Sequence, residues 1–62
     1  MGLQEQLAAA VARAYAAAGV RVRETDVDSL AEIYAKWAAG ADEGVVDRLE
    51  RALARSLGAF AA

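Results

Sequence analysis

Acidic side chains at two places in this sequence have the spacing that metal or acid–base chemistry uses. Asp26 and Asp28 are separated by one residue, and Asp42 directly precedes Glu43. Paired carboxylates can coordinate Mg²⁺ or exchange a proton with a substrate. Both pairs, however, lie at predicted helix starts, where capping and the helix dipole already favour acidic residues. We therefore assign no metal, cofactor or catalytic role to them.

The other residue types that catalysis usually needs are missing or unsupported. The chain contains no His and no Cys, which removes the commonest proton shuttle, the commonest metal ligands and the most reactive nucleophile. Its hydroxyl side chains have no imidazole to activate them, and the only lysine, Lys36, falls on the polar side of a predicted helix. The sequence thus predicts a protein that is not an enzyme.

Length and composition indicate one small helical domain. The chain has 62 residues, 58% of them hydrophobic, with Ala the most frequent residue and no Pro. A core of this size stabilises a fold only marginally, and the lack of Cys excludes disulfides. We predict a single domain over residues 1–62, whose core can be completed by oligomerisation.

Hydrophobic spacing predicts three α-helices, near residues 3–18, 26–39 and 42–57, and hence an all-α three-helix bundle. Apolar residues recur every three or four positions in each segment. Each segment is followed by a glycine at which a helix can end: Gly19, Gly40 and Gly58. Residues 20–24 alternate between apolar and polar, and we interpret them as an extended connector. A β-strand there would need a second copy to pair with.

Polar residues mark the predicted starts of the second and third helices. Thr25 and Asp28 have the spacing of a capping box, and Asp42 is a suitable N-cap. Gly44 costs about 1 kcal/mol inside a helix, which favours a start after it.

Three of the four aromatic residues are predicted to belong to the core. The second helix has a broad apolar face: Val27, Leu30, Ile33, Tyr34, Trp37 and Ala38. We expect Trp37, together with Tyr34 and Tyr15, to be buried. Replacing a buried Trp37 with Ala would destabilise the fold by about 3–5 kcal/mol.

A non-catalytic protein–protein interaction or structural module is the function that this pattern favours. We expect the chain to self-associate or to dock on a larger protein partner, such as a bacterial or phage assembly. The small core, the apolar tail after Gly58 and the nearly uncharged Ala-rich side of the first helix support this expectation. That side is explained either by helix propensity or by the close approach of another helix. The predicted contact residues are Leu3, Leu7, Val11, Tyr15 and Phe60.

Two other classes of function remain as alternatives. A small nucleic-acid-associated regulator would use arginines, and an acidic inhibitor or antitoxin-like protein would use the carboxylates of the second helix. The residues concerned are Arg13, Arg21 and Arg23 for the first, and Glu24, Asp26, Asp28 and Glu32 for the second. A net charge of −2 and an acidic helix start disfavour nucleic acid. No signal peptide or membrane span is recognised, so a cytoplasmic location is expected. The irregular connector disfavours a designed bundle.

Overall fold

The computed structural model describes residues 2–42 and 44–61, except for the side chains of residues 60 and 61. Three α-helices follow one another along the chain: α1 (Leu3–Ala18), α2 (Glu24–Trp37) and α3 (Val45–Ala61). Within the described residues there is no β-strand. The prediction of an all-α three-helix fold is confirmed.

Helix α1 is the centre of the fold because both other helices pack against it. Its buried residues are Leu7, Ala10, Val11 and Ala14, whose spacing of three and four places them on one face. Between α2 and α3, by contrast, no pair of described Cα atoms comes within 8 Å. The bundle is therefore open along one side, where a groove separates α2 from α3.

The connector between α1 and α2 begins at a glycine, as the sequence predicted. Gly19 has the left-handed conformation (φ 72°, ψ 21°), and its N–H donates to the carbonyl of Ala16 at 3.1 Å. The N–H of Val20 donates to the carbonyl of Tyr15 at 3.0 Å, so two carbonyls at the end of α1 are satisfied. Val20 and Val22 are half-buried, whereas Arg21 and Arg23 are exposed. The alternating pattern is thus that of an extended connector whose valines pack towards the bundle.

Helix α2 begins and ends two residues earlier than predicted. Arg23 occupies the N-cap position with an extended backbone (φ −78°, ψ 146°), so Thr25 lies inside the first turn. The predicted capping box is wrong: the carbonyl of Thr25 accepts a hydrogen bond from the hydroxyl of Ser29 at 3.0 Å. At the other end the last helical residue is Trp37, and the turn that follows contains Gly40 with φ 82°.

Helix α3 is shifted towards the C-terminus relative to its prediction. It begins at Val45, because Asp42 lies in the turn before the helix and not at the first residue of the helix. The Oδ1 atom of Asp42 accepts hydrogen bonds from the Gly44 N–H at 2.9 Å and from Arg48 at 3.0 Å. The helix also continues past Gly58 to Ala61, so the prediction that Gly58 stops it is wrong. Ala flanks Gly58 on its C-terminal side, and Ala is the best helix former.

Replacing Gly58 with Ala is expected to stabilise the fold by about 0.4–1 kcal/mol. Gly58 is helical, and a Cβ atom built on it meets no described atom within 4 Å. The matched control is Gly19→Ala, which also has open space but requires φ 72° and is expected to cost about 1–2 kcal/mol. Urea unfolding followed by helix content gives both values. Equal effects of the two changes would contradict this assignment of the backbone.

Candidate interaction surface

The contact residues predicted from the sequence are divided between the core and its edge. Leu7 and Val11 are 1% and 3% exposed, so in this fold they are part of the chain's own core. Leu3 and Tyr15 are half-buried. The side chain of Phe60 lies outside the described residues. The structure therefore does not bring the four described positions together on one accessible face, and the role of all five residues in binding stays a prediction.

The large apolar side chains that the structure does expose lie on α2. Trp37 is 74% exposed and Ile33 is 61% exposed. The prediction that Trp37 belongs to the core is wrong, so the loss of stability expected for a buried Trp37 does not apply to this fold. Tyr34 and Tyr15, the other aromatic residues expected in the core, are half-buried.

The rotation of α2 about its axis explains why Trp37 is exposed. The side of α2 that is buried is marked by Val27 and Ala31, and Ala31 is fully buried. Successive helical residues turn by about 100°, so Trp37 lies about 120° and Ile33 about 160° away from Ala31. The predicted apolar face was too broad for contact with one neighbouring helix. Small alanines, rather than the large residues, occupy the line of closest approach.

We define the α2 face as the half-buried Leu30 together with the exposed Ile33 and Trp37. It borders the open side of the bundle, where Trp37 and residues of α3 line a groove of about 340 Å³. The other lining residues are Ala38, Ala41, Val45, Arg48, Leu49 and Ala52. The described residues of the groove wall are mostly apolar, and the charged one among them, Arg48, is paired with Asp42 at 3.0 Å. An apolar surface thus continues from the α2 face into the groove.

Charged residues of opposite sign lie at the two ends of the α2 face. Near the N-terminus of α2, Asp26 accepts from the Nε of Arg23 at 3.1 Å. Near its C-terminus, the Nζ of Lys36 is 3.7 Å from the Oε1 of Glu32. Both pairs are exposed, so each is weak and can exchange partners at little cost. Their positions also agree with the helix dipole.

The arginines named for nucleic-acid binding are largely engaged within the chain. Arg13 of α1 donates from Nε and Nη2 to the Oε1 of Glu50 on α3, at 2.9 and 2.7 Å. The hydrogen bond to Glu50 raises the pKa of the Arg13 guanidinium. Arg23 pairs with Asp26. Arg21 is exposed on the connector. Arg13 thus links α1 to α3 through this ion pair, and its charge is paired rather than free to bind phosphate.

The described members of the two acidic pairs, Asp26, Asp28 and Asp42, form no metal site. Asp26 and Asp28 point about 160° apart around α2. The carboxylate of Asp42 already accepts hydrogen bonds from Gly44 and Arg48. Glu43 lies outside the described residues. Across residues 2–42 and 44–61, no group of three or more carboxylates is close enough to hold a metal ion.

None of the helices in the described ranges combines the length and apolar character needed to cross a membrane. Comparison of the chain with known protein families, with curated proteins and with solved structures finds no match.

Proposed function

We propose that this chain is a non-catalytic protein–protein interaction module that binds through the α2 face. The observation that carries the proposal is the exposure of Trp37, next to Ile33 and an apolar groove. Exposing such an aromatic side chain to water is unfavourable, and tryptophan is among the residues that dominate the binding energy of protein interfaces. Contiguous exposed apolar surface bordered by polar residues is typical of binding sites.

The surroundings of the face suit binding of protein better than binding of nucleic acid. Residues of α2 carry four acidic side chains and one lysine, so phosphate would be repelled: Glu24, Asp26, Asp28, Glu32 and Lys36. The arginine of the groove wall is paired with a carboxylate. Apolar contact with an amphipathic helix is the mode of recognition that an apolar groove between two helices favours.

A photo-reactive phenylalanine analogue in place of Trp37 tests the proposal by covalent capture. We expect ultraviolet irradiation to give a defined cross-linked product in an extract of cells that produce the chain. An excess of unlabelled wild-type protein should suppress a product formed with another protein, and should itself enter a product formed between two copies of this chain. An excess of the Trp37→Ala protein should do neither, although Trp37→Ala should change the free energy of unfolding by no more than about 0.5 kcal/mol, as for other exposed sites.

The control carries the same analogue at Ala17, which is exposed on α1 away from the α2 face. Cross-linking from position 17 should be weak and insensitive to competitor. Equal labelling from the two positions, or suppression by the Trp37→Ala protein, would mean that the α2 face is not a specific binding surface.

A further inference from the structure

We infer that the partner of the α2 face is a second copy of this chain, bound with the two α2 helices antiparallel. This inference rests on the proposed function and names the occupant of the same surface. Three observations carry it: the spacing of the residues on the face, the signs of the charges at its ends and the orientation in which both can be satisfied.

The spacing of the α2 face is that of a seam between two helices. Asp26, Leu30, Ile33 and Trp37 follow one another at intervals of four, three and four residues. Residues repeating in this way form a stripe along a helix that packs against a similar stripe with a small crossing angle. On one side of the stripe, Ser29 already satisfies its hydroxyl by donating to the carbonyl of Thr25. Covering the stripe therefore leaves that hydroxyl with a partner.

The charges select the antiparallel orientation. In a parallel pair, Asp26 would face its own copy, as would Lys36, so like charges would meet at both ends. In an antiparallel pair with Leu30 opposite Ile33 of the second copy, Asp26 falls beside Trp37 and Lys36 of that copy. Lys36 can then pair with Asp26 twice, once at each end of the seam. The other carboxylates of α2, Glu24, Asp28 and Glu32, lie around the helix away from this stripe.

The same arrangement provides for the indole of Trp37. An indole N–H is a donor only, and it needs an acceptor when an interface removes it from water. The carboxylate of Asp26 from the second copy is placed to accept from it. Antiparallel α2 helices also bring opposite ends of their dipoles together.

The α2 face is small for an interface. A stable interface buries about 600–1,000 Å² of each partner, whereas this face consists of three residues on one helix. We therefore expect a weak, reversible dimer that forms as the protein concentration rises.

Two charge reversals, measured singly and mixed, test the arrangement by sedimentation equilibrium. Asp26→Lys puts two lysines on each protomer and Lys36→Asp puts two aspartates there, so each variant alone should dimerise at least about tenfold more weakly than wild type. An equimolar mixture should form a heterodimer, because every Lys then meets an Asp. Damage to the helix cannot produce this recovery, since the same altered helices are present in the mixture.

Asp28→Lys is the matched control, because it makes the same change of charge on the other side of α2 and should leave dimerisation unchanged. Circular dichroism verifies that each variant retains its helices. A monomeric wild-type protein at all concentrations, a monomeric mixture, or an effect of Asp28→Lys as large as that of Asp26→Lys would overturn the inference. If wild type is monomeric but position 37 still cross-links to another protein, the proposed function stands and only the second copy is excluded.

Discussion

Replacing Leu7 with Ala is expected to lower the free energy of unfolding by about 2–5 kcal/mol. Leu7 is 1% exposed and lies on the one helix that contacts both others. It lines a narrow crevice together with Tyr34 of α2 and Leu49 and Leu53 of α3. Removing its side chain therefore takes contacts from both helix pairs at once and leaves a cavity that neither helix can fill alone.

The size of the domain makes this loss decisive. Folded proteins are stable by about 0.05–0.15 kcal/mol per residue, which gives about 3–9 kcal/mol for a chain of this length. Leu7→Ala should thus remove a large part of the free energy of unfolding. Urea unfolding followed by far-ultraviolet circular dichroism measures the change. Fluorescence of the exposed Trp37 is a poorer probe, because its surroundings resemble water in the folded state.

Ile33→Ala is the control for this prediction because it removes a side chain of similar size from an exposed position on α2. At a protein concentration below that of self-association, its cost should remain within about 0.5 kcal/mol. If Leu7→Ala cost no more than Ile33→Ala, the assignment of α1 as the central helix would be wrong.

The helices themselves could be predicted from the sequence because their signals are local. Spacing of three and four residues predicted α1 over residues 3–18, and Gly19 marked its end through a conformation that glycine adopts most easily. Gly58 shows the limit of the same signal. A glycine ends a helix only when the chain leaves the helical conformation there, and the described backbone after Gly58 stays helical to Ala61.

The candidate surface could not be predicted because it depends on how the helices are arranged in space. The sequence does not show that α1 contacts both other helices. Because it does, Leu7 and Val11 are buried in the core and do not belong to an interface. Nor does the amount of apolar surface fix the rotation of α2: the tryptophan side chain has far more apolar surface than that of alanine, yet Ala31 is buried and Trp37 is exposed. Close helix packing favours the smaller side chain.

Small side chains are also found at the other helix contacts of the core, where alanine recurs. Ala10 and Ala14 of α1, Ala31 of α2 and Ala38 after α2 are all at most 2% exposed. Larger residues at these positions would hold the helices apart, whereas alanine allows close approach and favours the helical conformation. This chain buries few large side chains, and its short helices gain stability from packing closely together instead.

Enlarging Ala31 to Leu is accordingly expected to cost about 1–3 kcal/mol, even though Leu is the more hydrophobic residue. Ala31 is fully buried on the side of α2 that packs against α1, so three additional carbon atoms must push α2 outward or adopt strained rotamers. Ala9→Leu on the exposed side of α1 is the control and should change stability by no more than about 0.5 kcal/mol. The urea midpoints of the two variants measure both changes in stability. A stabilised Ala31→Leu protein would mean that the contact between α2 and α1 can accommodate a larger side chain and that Ala31 contributes only helix propensity. A destabilised protein would mean that Ala31 permits the close approach of α2 to α1, the arrangement in which Trp37 is exposed.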